Sequence, residues 1–320
     1  MKKIYFVVLL FVNLSQIFGQ ADFESKDRER ISKNKIKQQT QWEYDYINGS
    51  PSTKGYRFAT TFYDKKGNII KVVNYDSKDS ITSVLKYSYD ANNNRTSYSR
   101  FKGNEKQLTY NKSLRYDAKN NKIAESGFDG ASVFNNTFTY DSNGKVLEIK
   151  YTTDKTLSEK RTFKYSGTTT EMSIVSPSNV VLSREISILD SKNNVLEETK
   201  YIQNNVAQKS NYTYDPTGKK VEEIKENLGT LAYRRKFTYS STGSLVSISE
   251  EKPGVKPLIT YQYKYDAKGS VVDEKWVKDA GKEYSTKSHK YDVKDLLVET
   301  EFYNASLKLN ITFRFTYELY

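Results

Sequence analysis

No cysteine occurs among the 320 residues. That excludes disulfide staples, thiol nucleophiles, Cys-ligated zinc and a lipid-modified N-terminal cysteine. Histidine occurs once, at His289, so His-built metal sets and Ser-His-Asp chemistry have almost nothing to stand on. Five prolines and 15 glycines are too few for a collagen-like or Pro-rich disordered chain. The long apolar run Ile4 to Val12 falls well short of the roughly 20 residues that span a bilayer as a helix, so no transmembrane segment is expected in the mature chain. Phosphate-loop and dinucleotide fingerprints are missing too, and neither a cofactor nor an enzymatic activity is expected.

What is present is aromatic and charged. The chain holds 27 tyrosines and 15 phenylalanines, which favour strands. Lysine and arginine number 51 against 39 acids, but the two signs alternate along the chain as on solvated strand faces, and no nucleic-acid partner is expected. Residues 1–20 place Lys2 and Lys3 before the apolar run and end near Gly19, the pattern of a cleaved secretory signal peptide. The mature protein is therefore expected outside the cytoplasm, in the periplasm or at the surface of a Gram-negative bacterium.

A repeat of about 25 residues fills the rest. An aromatic precedes a polar turn at Tyr63, Tyr89, Tyr116, Tyr140, Tyr165, Tyr214, Tyr239, Tyr265, Tyr291 and Tyr317, with Leu189 in the one vacant slot. Asp64, Asp90, Asp117, Asp141, Asp190, Asp215, Asp266 and Asp292 follow, since Asp opens turns by accepting nearby backbone N–H groups. Three residues further stand Gly67, Asn93, Asn120, Gly144, Asn193, Gly218, Gly243, Gly269 and Asp295, side chains that tolerate positive φ. Each Asp-x-x-Gly thus reads as a hairpin turn. These turn carboxylates come one to a turn, whereas calcium loops concentrate several, so capping is the expected role.

Around each turn the pattern has period two. Tyr87 with Tyr89 or Phe138 with Tyr140 share a strand face, and another aromatic follows seven or eight residues past the Gly or Asn: Tyr75, Phe101, Phe128, Tyr151, Tyr201, Trp276 and Phe302. Glu148, Glu197, Glu223 and Glu299 follow the post-turn aliphatic residues and are expected to be solvated face residues or lysine partners rather than a glycosidase pair. His289 occupies a strand-face aromatic slot.

The fold implied is all-β: an antiparallel β-hairpin repeat array forming one long, twisted and coiled meander sheet over residues 41–320, with aromatic rows enclosed as it coils. Residues 21–40 read as a flexible or short helical lead-in, and Trp42 to Tyr46 with the loop after it as a hairpin capping the array's free edge.

With Tyr-Asp-x-x-Gly-Asn best kept at Tyr63 to Asn68, the sequence resembles the YD-repeat family of Rhs proteins and teneurins, more closely the degenerate arrays of secreted Bacteroidetes proteins. The resemblance implies a spiralling β-shell and carbohydrate binding, though the chain looks too short for a closed cocoon. The expected role is a non-enzymatic envelope protein presenting a β-sheet surface to glycan or protein partners. The alternatives are a shell or cradle for a toxin or other cargo, and a glycan hydrolase.

Overall fold

The computed structural model describes residues 27–278 and 283–320, and the expected signal peptide lies outside them. Among these residues twenty-three strands form one antiparallel sheet, from β1 (Ile36–Ile47), β2 (Ser50–Pro51), β3 (Tyr56–Tyr63), β4 (Ile69–Tyr75) and β5 (Ile81–Tyr89) through to β23 (Leu309–Leu319). From β3 onward each strand pairs with the next along the chain. The two-residue β2 is only a ribbon on β1, and β1 itself pairs on one side with β3 and on the other with β23. Thr40 faces both Thr60 and Thr316.

The sheet is therefore a closed 22-strand barrel, which overturns the expected open meander. Trp42 to Tyr46 does not cap a free edge; it lies within the closing strand. Residues 36–40 belong to that strand as well, and a short helix spans 27–33. The cause is accumulated twist and stagger: enough hairpins bring the first and last strands side by side, and pairing them removes both edges.

The turns explain the repeat residues. Asp64 Oδ1 accepts the N–H groups of Lys66 at 2.8 Å and Asn68 at 2.9 Å, and Gly67 N–H donates to the Asp64 carbonyl. Gly67 adopts φ 82°, and Asn93, Asn120, Asn193 and Asp295 also lie between 62° and 65°. The same bonds recur at Asp90, Asp117, Asp141, Asp190, Asp215, Asp266 and Asp292, while Ser240 Oγ reproduces one of them.

The tyrosine follows from what the turn does to the next strand. Beyond each Asp turn the register slips by one residue, as between Phe62↔Lys71 and Tyr63↔Ile69, so the residue at the bulge loses part of its ladder. The next repeat's tyrosine supplies a donor there. Tyr89 Oη donates to the Ile69 carbonyl at 3.0 Å, Tyr116 to Arg95, Tyr140 to Lys122, Tyr165 to Val146, Tyr214 to Val195, Tyr239 to Lys220, Tyr265 to Leu245, Tyr291 to Val271 and Tyr317 to Leu297. Leu189 is the informative exception. The hairpin one repeat before it, Thr156–Ser166 to Thr169–Val175, turns without a register slip, so no bulged carbonyl waits for a hydroxyl.

Which face turns inward follows from the stagger. A path along Cα partners from Thr61 through Val72, Leu85 and Arg100, continued once round the ring, returns to β3 about 24 residues nearer its N-terminal end. Strands of L-residues coil right-handedly about a barrel axis, so such a descending path runs rightward seen from outside, placing β4 to the right of β3. The Asp64 N–H donates to Asn68 O, so Tyr63 and Thr61 aim their amides the other way, at β1. For an L-residue on a rising strand facing the observer the amide points right, so β4 lies left when seen from Tyr63's side. That side is the lumen.

Exposure agrees. Outward Lys86, Lys164, Lys236 and Lys264 are exposed, whereas their inward neighbours Tyr87, Phe163, Phe237 and Tyr263 are half-buried. With strands about 4.8 Å apart and tilted by roughly 37°, such a ring has a backbone radius of roughly 20 Å where its section is round. Among the described residues, extensive strand packing joins hydrogen-bonded neighbours and never opposite walls. The hydrophobic cluster sits at the seam instead, where Ile31 of the helix and Ile36 meet Tyr63, Leu296 and Tyr317.

Candidate functional site: the lumen

The lumenal wall carries an aromatic band. Tyr87, Tyr98 and Tyr110 lie side by side on consecutive strands with ring centroids 5.2 and 5.3 Å apart. Tyr110 then meets Phe134 at 6.3 Å although a strand lies between them, because the lumenal position there is Gly127. A Cβ on Gly127 would stand 2.0 Å from the Asn111 carbonyl oxygen, so the backbone's close approach requires glycine. Further round, Trp276 stacks on Phe302 at 6.0 Å with planes 9° apart, and Phe58 meets Phe313 at 5.6 Å.

The aromatics after the turns split between the two faces. Tyr151, Trp276 and Phe302, seven residues past the turn Gly, Asn or Asp, line the lumen; Tyr75, Phe101, Phe128 and Tyr201, eight past it, point outward. One residue of offset reverses the face. The outward rings carry cations, with Arg57 3.9 Å over Tyr75, Arg184 4.9 Å over Tyr201 and Lys86 5.6 Å over Phe101.

A belt of paired carboxylates accompanies the rings. Glu125, Glu198, Glu223 and Glu274 all stand five residues past the turn Gly or Asn and face the lumen. Tyr212 Oη donates to Glu198 at 2.6 Å, Tyr233 Oη to Glu223 at 2.6 Å, and Asn136 Nδ2 to Glu125 at 3.0 Å. Burial alone would raise the Glu223 carboxyl, but Lys220 and the Tyr233 hydroxyl outweigh it and hold it below the usual range. Glu250, bonded to Arg235 at 2.7 Å, is likewise held low. Glu185 is the contrary case: burial and then the nearby Glu198 push it upward. Burial lifts Tyr87 and Tyr263 to about 12, so these rings stay neutral and able to donate.

Glu223 thus departs from the group in which its spacing placed it. Glu148, Glu197 and Glu299 point outward beside Lys150, Lys209 and Lys290, as solvated partners of lysine. Glu223 lies one position further along its strand and faces inward. The five-residue spacing shared with Glu125, Glu198 and Glu274 is the signal that identifies the lumenal belt. His289 holds its strand-face slot, bridging Glu274 Oε1 at 3.0 Å and Thr300 Oγ1 at 3.0 Å. The turn aspartates form a rim, not a site: their Oδ1 atoms are occupied by backbone N–H groups, and Lys66, Lys119 and Lys192 reach the carbonyls of Ala91, Ser142 and Pro216 in the next turn.

No protein-family profile matches the chain, and no curated protein does. Among solved structures it is similar to TcdB2-TccC3 without its hypervariable C-terminal region at 14% identity and a TM-score of 0.32, covering 81% of this chain and 14% of that one. It is also similar to porin-like proteins from Bacteroides uniformis (10% identity, TM-score 0.29) and Bacteroides vulgatus (11%, 0.25), each covering 88% of this chain and 98% of theirs. The chain thus spans about a seventh of the length of the toxin-complex structure.

Proposed function

We propose that the protein is an exported, non-enzymatic binding barrel of the cell envelope that takes a glycan into its lumen. One observation carries the reading: the aromatic rows that precede the turns, with Tyr87, Phe163, Phe237 and Tyr263 among them, turn inward, and the lysines that alternate with them turn outward. Ring faces flanked by hydrogen-bonding carboxylates and neutral tyrosine hydroxyls are what sugar rings stack on and bond to. A membrane-embedded barrel has the reverse arrangement, an apolar band about 25 Å tall outside and a polar wall inside. Lys86, Lys150, Lys164, Lys236 and Lys264 on the outer face fit water.

The two tryptophans provide the test, because Trp276 faces the lumen and Trp42, bonded to Thr316 Oγ1, faces out. With Trp42→Phe, emission comes from Trp276 alone, and added chito- or cello-oligosaccharides are expected to shield it from acrylamide. With Trp276→Phe, the remaining emission should not respond. Shielding of Trp42 instead, or none with any glycan, rejects the lumenal reading. A second reading, a cradle for a polypeptide, draws on the lumen's width of tens of Å and its mixed charge. It predicts that an unfolded polypeptide shields Trp276 where oligosaccharides do not.

A further inference from the structure

The two mouths of the barrel differ. At the mouth formed by the Asp turns, Asp, Asn and Lys side chains bond from one turn to the next, and among the described residues only Val293 and the terminal Leu319 and Tyr320 are large apolar residues more than half exposed. The opposite mouth carries an apolar collar distributed round the ring. Ile47, Val133, Val180, Leu228, Val255 and Leu307 are all more than half exposed, Leu228 by 79%.

Leu228 is costly in two ways. Besides its exposure it adopts φ 49° ahead of Gly229 at 75°, a two-residue hairpin turn in which Asn-Gly is preferred and leucine is disfavoured. A leucine placed where both solvent and backbone disfavour it points to a contact.

We infer that this collar docks onto the collar of a second copy of the chain, joining two barrels mouth to mouth about a two-fold axis. Such an axis lays a ring of residues on itself, which is the self-complementarity an isologous interface needs. The six collar residues expose on the order of 600 Å², and the flanking Val181, Leu182 and Ile202 bring the collar to roughly 900 Å², against about 800 Å² that each partner buries in a standard specific interface. Its charges also suit a second copy, because both signs stand side by side at Lys78 and Asp79, Asp154 and Lys155, and Glu251 and Lys252. A lipid surface fits less well. The collar's most exposed members are aliphatic, without the Trp and Tyr that anchor proteins at membrane interfaces, and Asp79, Asp129 and Asp154 would face the headgroups. Joined in this way, the two lumens become continuous through the collars, and the pairing holds whether or not a glycan is the guest.

Light scattering and sedimentation of the exported protein at tens of micromolar test the inference. The wild type is expected at the mass of two chains, and Leu228→Asn with Leu307→Asn at the mass of one. Leu228→Asn alone should raise the melting temperature measured at dilutions where only single chains remain, because asparagine suits the turn; loss of the dimer is then not loss of the fold. Val293→Asn at the other mouth should leave the dimer intact. A single-chain wild type, an unchanged double variant, or a dimer lost with Val293→Asn overturns the inference. Flotation of the wild type, but not the double variant, with phosphatidylcholine vesicles would assign the collar to a membrane instead and overturn it equally.

Discussion

The Tyr320 hydroxyl donates to the backbone carbonyl of Tyr63, joining the last residue of the chain to the first repeat across 257 positions. The neighbouring contacts reinforce this seam. Tyr320 N–H donates to Lys35 O at 3.0 Å, and Gln39 sits between two repeat tyrosines, donating to Tyr317 Oη at 2.9 Å and accepting from Tyr63 Oη at 3.2 Å. Among the described residues no repeat precedes Tyr63 to offer it a bulged carbonyl. Gln39 on the closing strand provides the acceptor in its place.

Gln39→Ala is therefore expected to leave the buried Tyr63 hydroxyl without an acceptor and to cost about 1–3 kcal/mol. The same change at Gln208, a lumenal glutamine away from the seam, should stay within about 0.5 kcal/mol. Urea unfolding of the two variants gives the comparison, and equal midpoints would mean that the seam is not a stability determinant.

The bulge and the tyrosine form one device, and substitutions should show it. Tyr214→Phe removes the donor to Val195 O and is expected to cost about 1 kcal/mol. Leu189→Tyr should bring no matching gain, because the slip-free hairpin before it leaves no carbonyl to bond. A Leu189→Tyr protein that melts clearly higher than the wild type would refute the pairing of bulge with hydroxyl.

These local devices were legible in the sequence. Asp64 with Gly67 announces its turn, and Tyr87 with Tyr89 its strand face, because turn chemistry and period-two alternation are properties of a few adjacent residues. Closure was not legible. Nothing near Thr40 marks Thr316 as its partner; that pairing results from the summed stagger of all the hairpins. Facing was lost wherever offsets of seven and eight were pooled, as with Tyr151 and Tyr201, since a single residue exchanges lumen for exterior. The sequence pattern likewise grouped Glu223 with Glu148, one position out of phase.

The turn aspartates predict an acid limit. Hydrogen bonds from the side-chain amides of Asn94, Asn121 and Asn194 hold Asp90, Asp117 and Asp190 below the usual carboxylate range, and the Thr217 hydroxyl does so for Asp215, each helped by backbone N–H groups. A carboxyl whose folded pKa is depressed contributes stability that is fully present above its unfolded pKa of about 3.9 and is lost as pH falls through the folded value. Stability should therefore hold from pH 7 to about 4 and fall below that. Asp215→Ser, the substitution that Ser240 already represents at its own turn, should keep the hairpin while flattening this fall. A urea midpoint that declines equally steeply in wild type and variant between pH 4 and 2 would count against the turns as its source.

Closure also decides which deletions the barrel can survive. Neighbouring strands are antiparallel throughout the ring, so an unbroken ring must contain an even number of strands. Removing Asp215 to Tyr239 takes out two strands and two turns, one whole 25-residue period, joining Tyr214 to Ser240 as Tyr239 is joined now. Twenty strands remain, every later strand keeps its direction and lumenal face, and Tyr265 still reaches Leu245 O. The loss of stagger is about one hairpin's share, so the tilt barely changes and the circumference shrinks by about a tenth. Removing only Asp215 to Lys225 takes out one strand and leaves an odd ring. One pair must then become parallel, and the weakest claim to its present register belongs to the seam, where no hairpin links β1 to β23. That protein is expected to stay open, expose two long edges and aggregate. Small-angle scattering of the first variant should show a narrower folded particle, and sedimentation of the second a polydisperse one. If the eleven-residue deletion folds as well as the whole-repeat deletion, antiparallel closure is not what holds the array together.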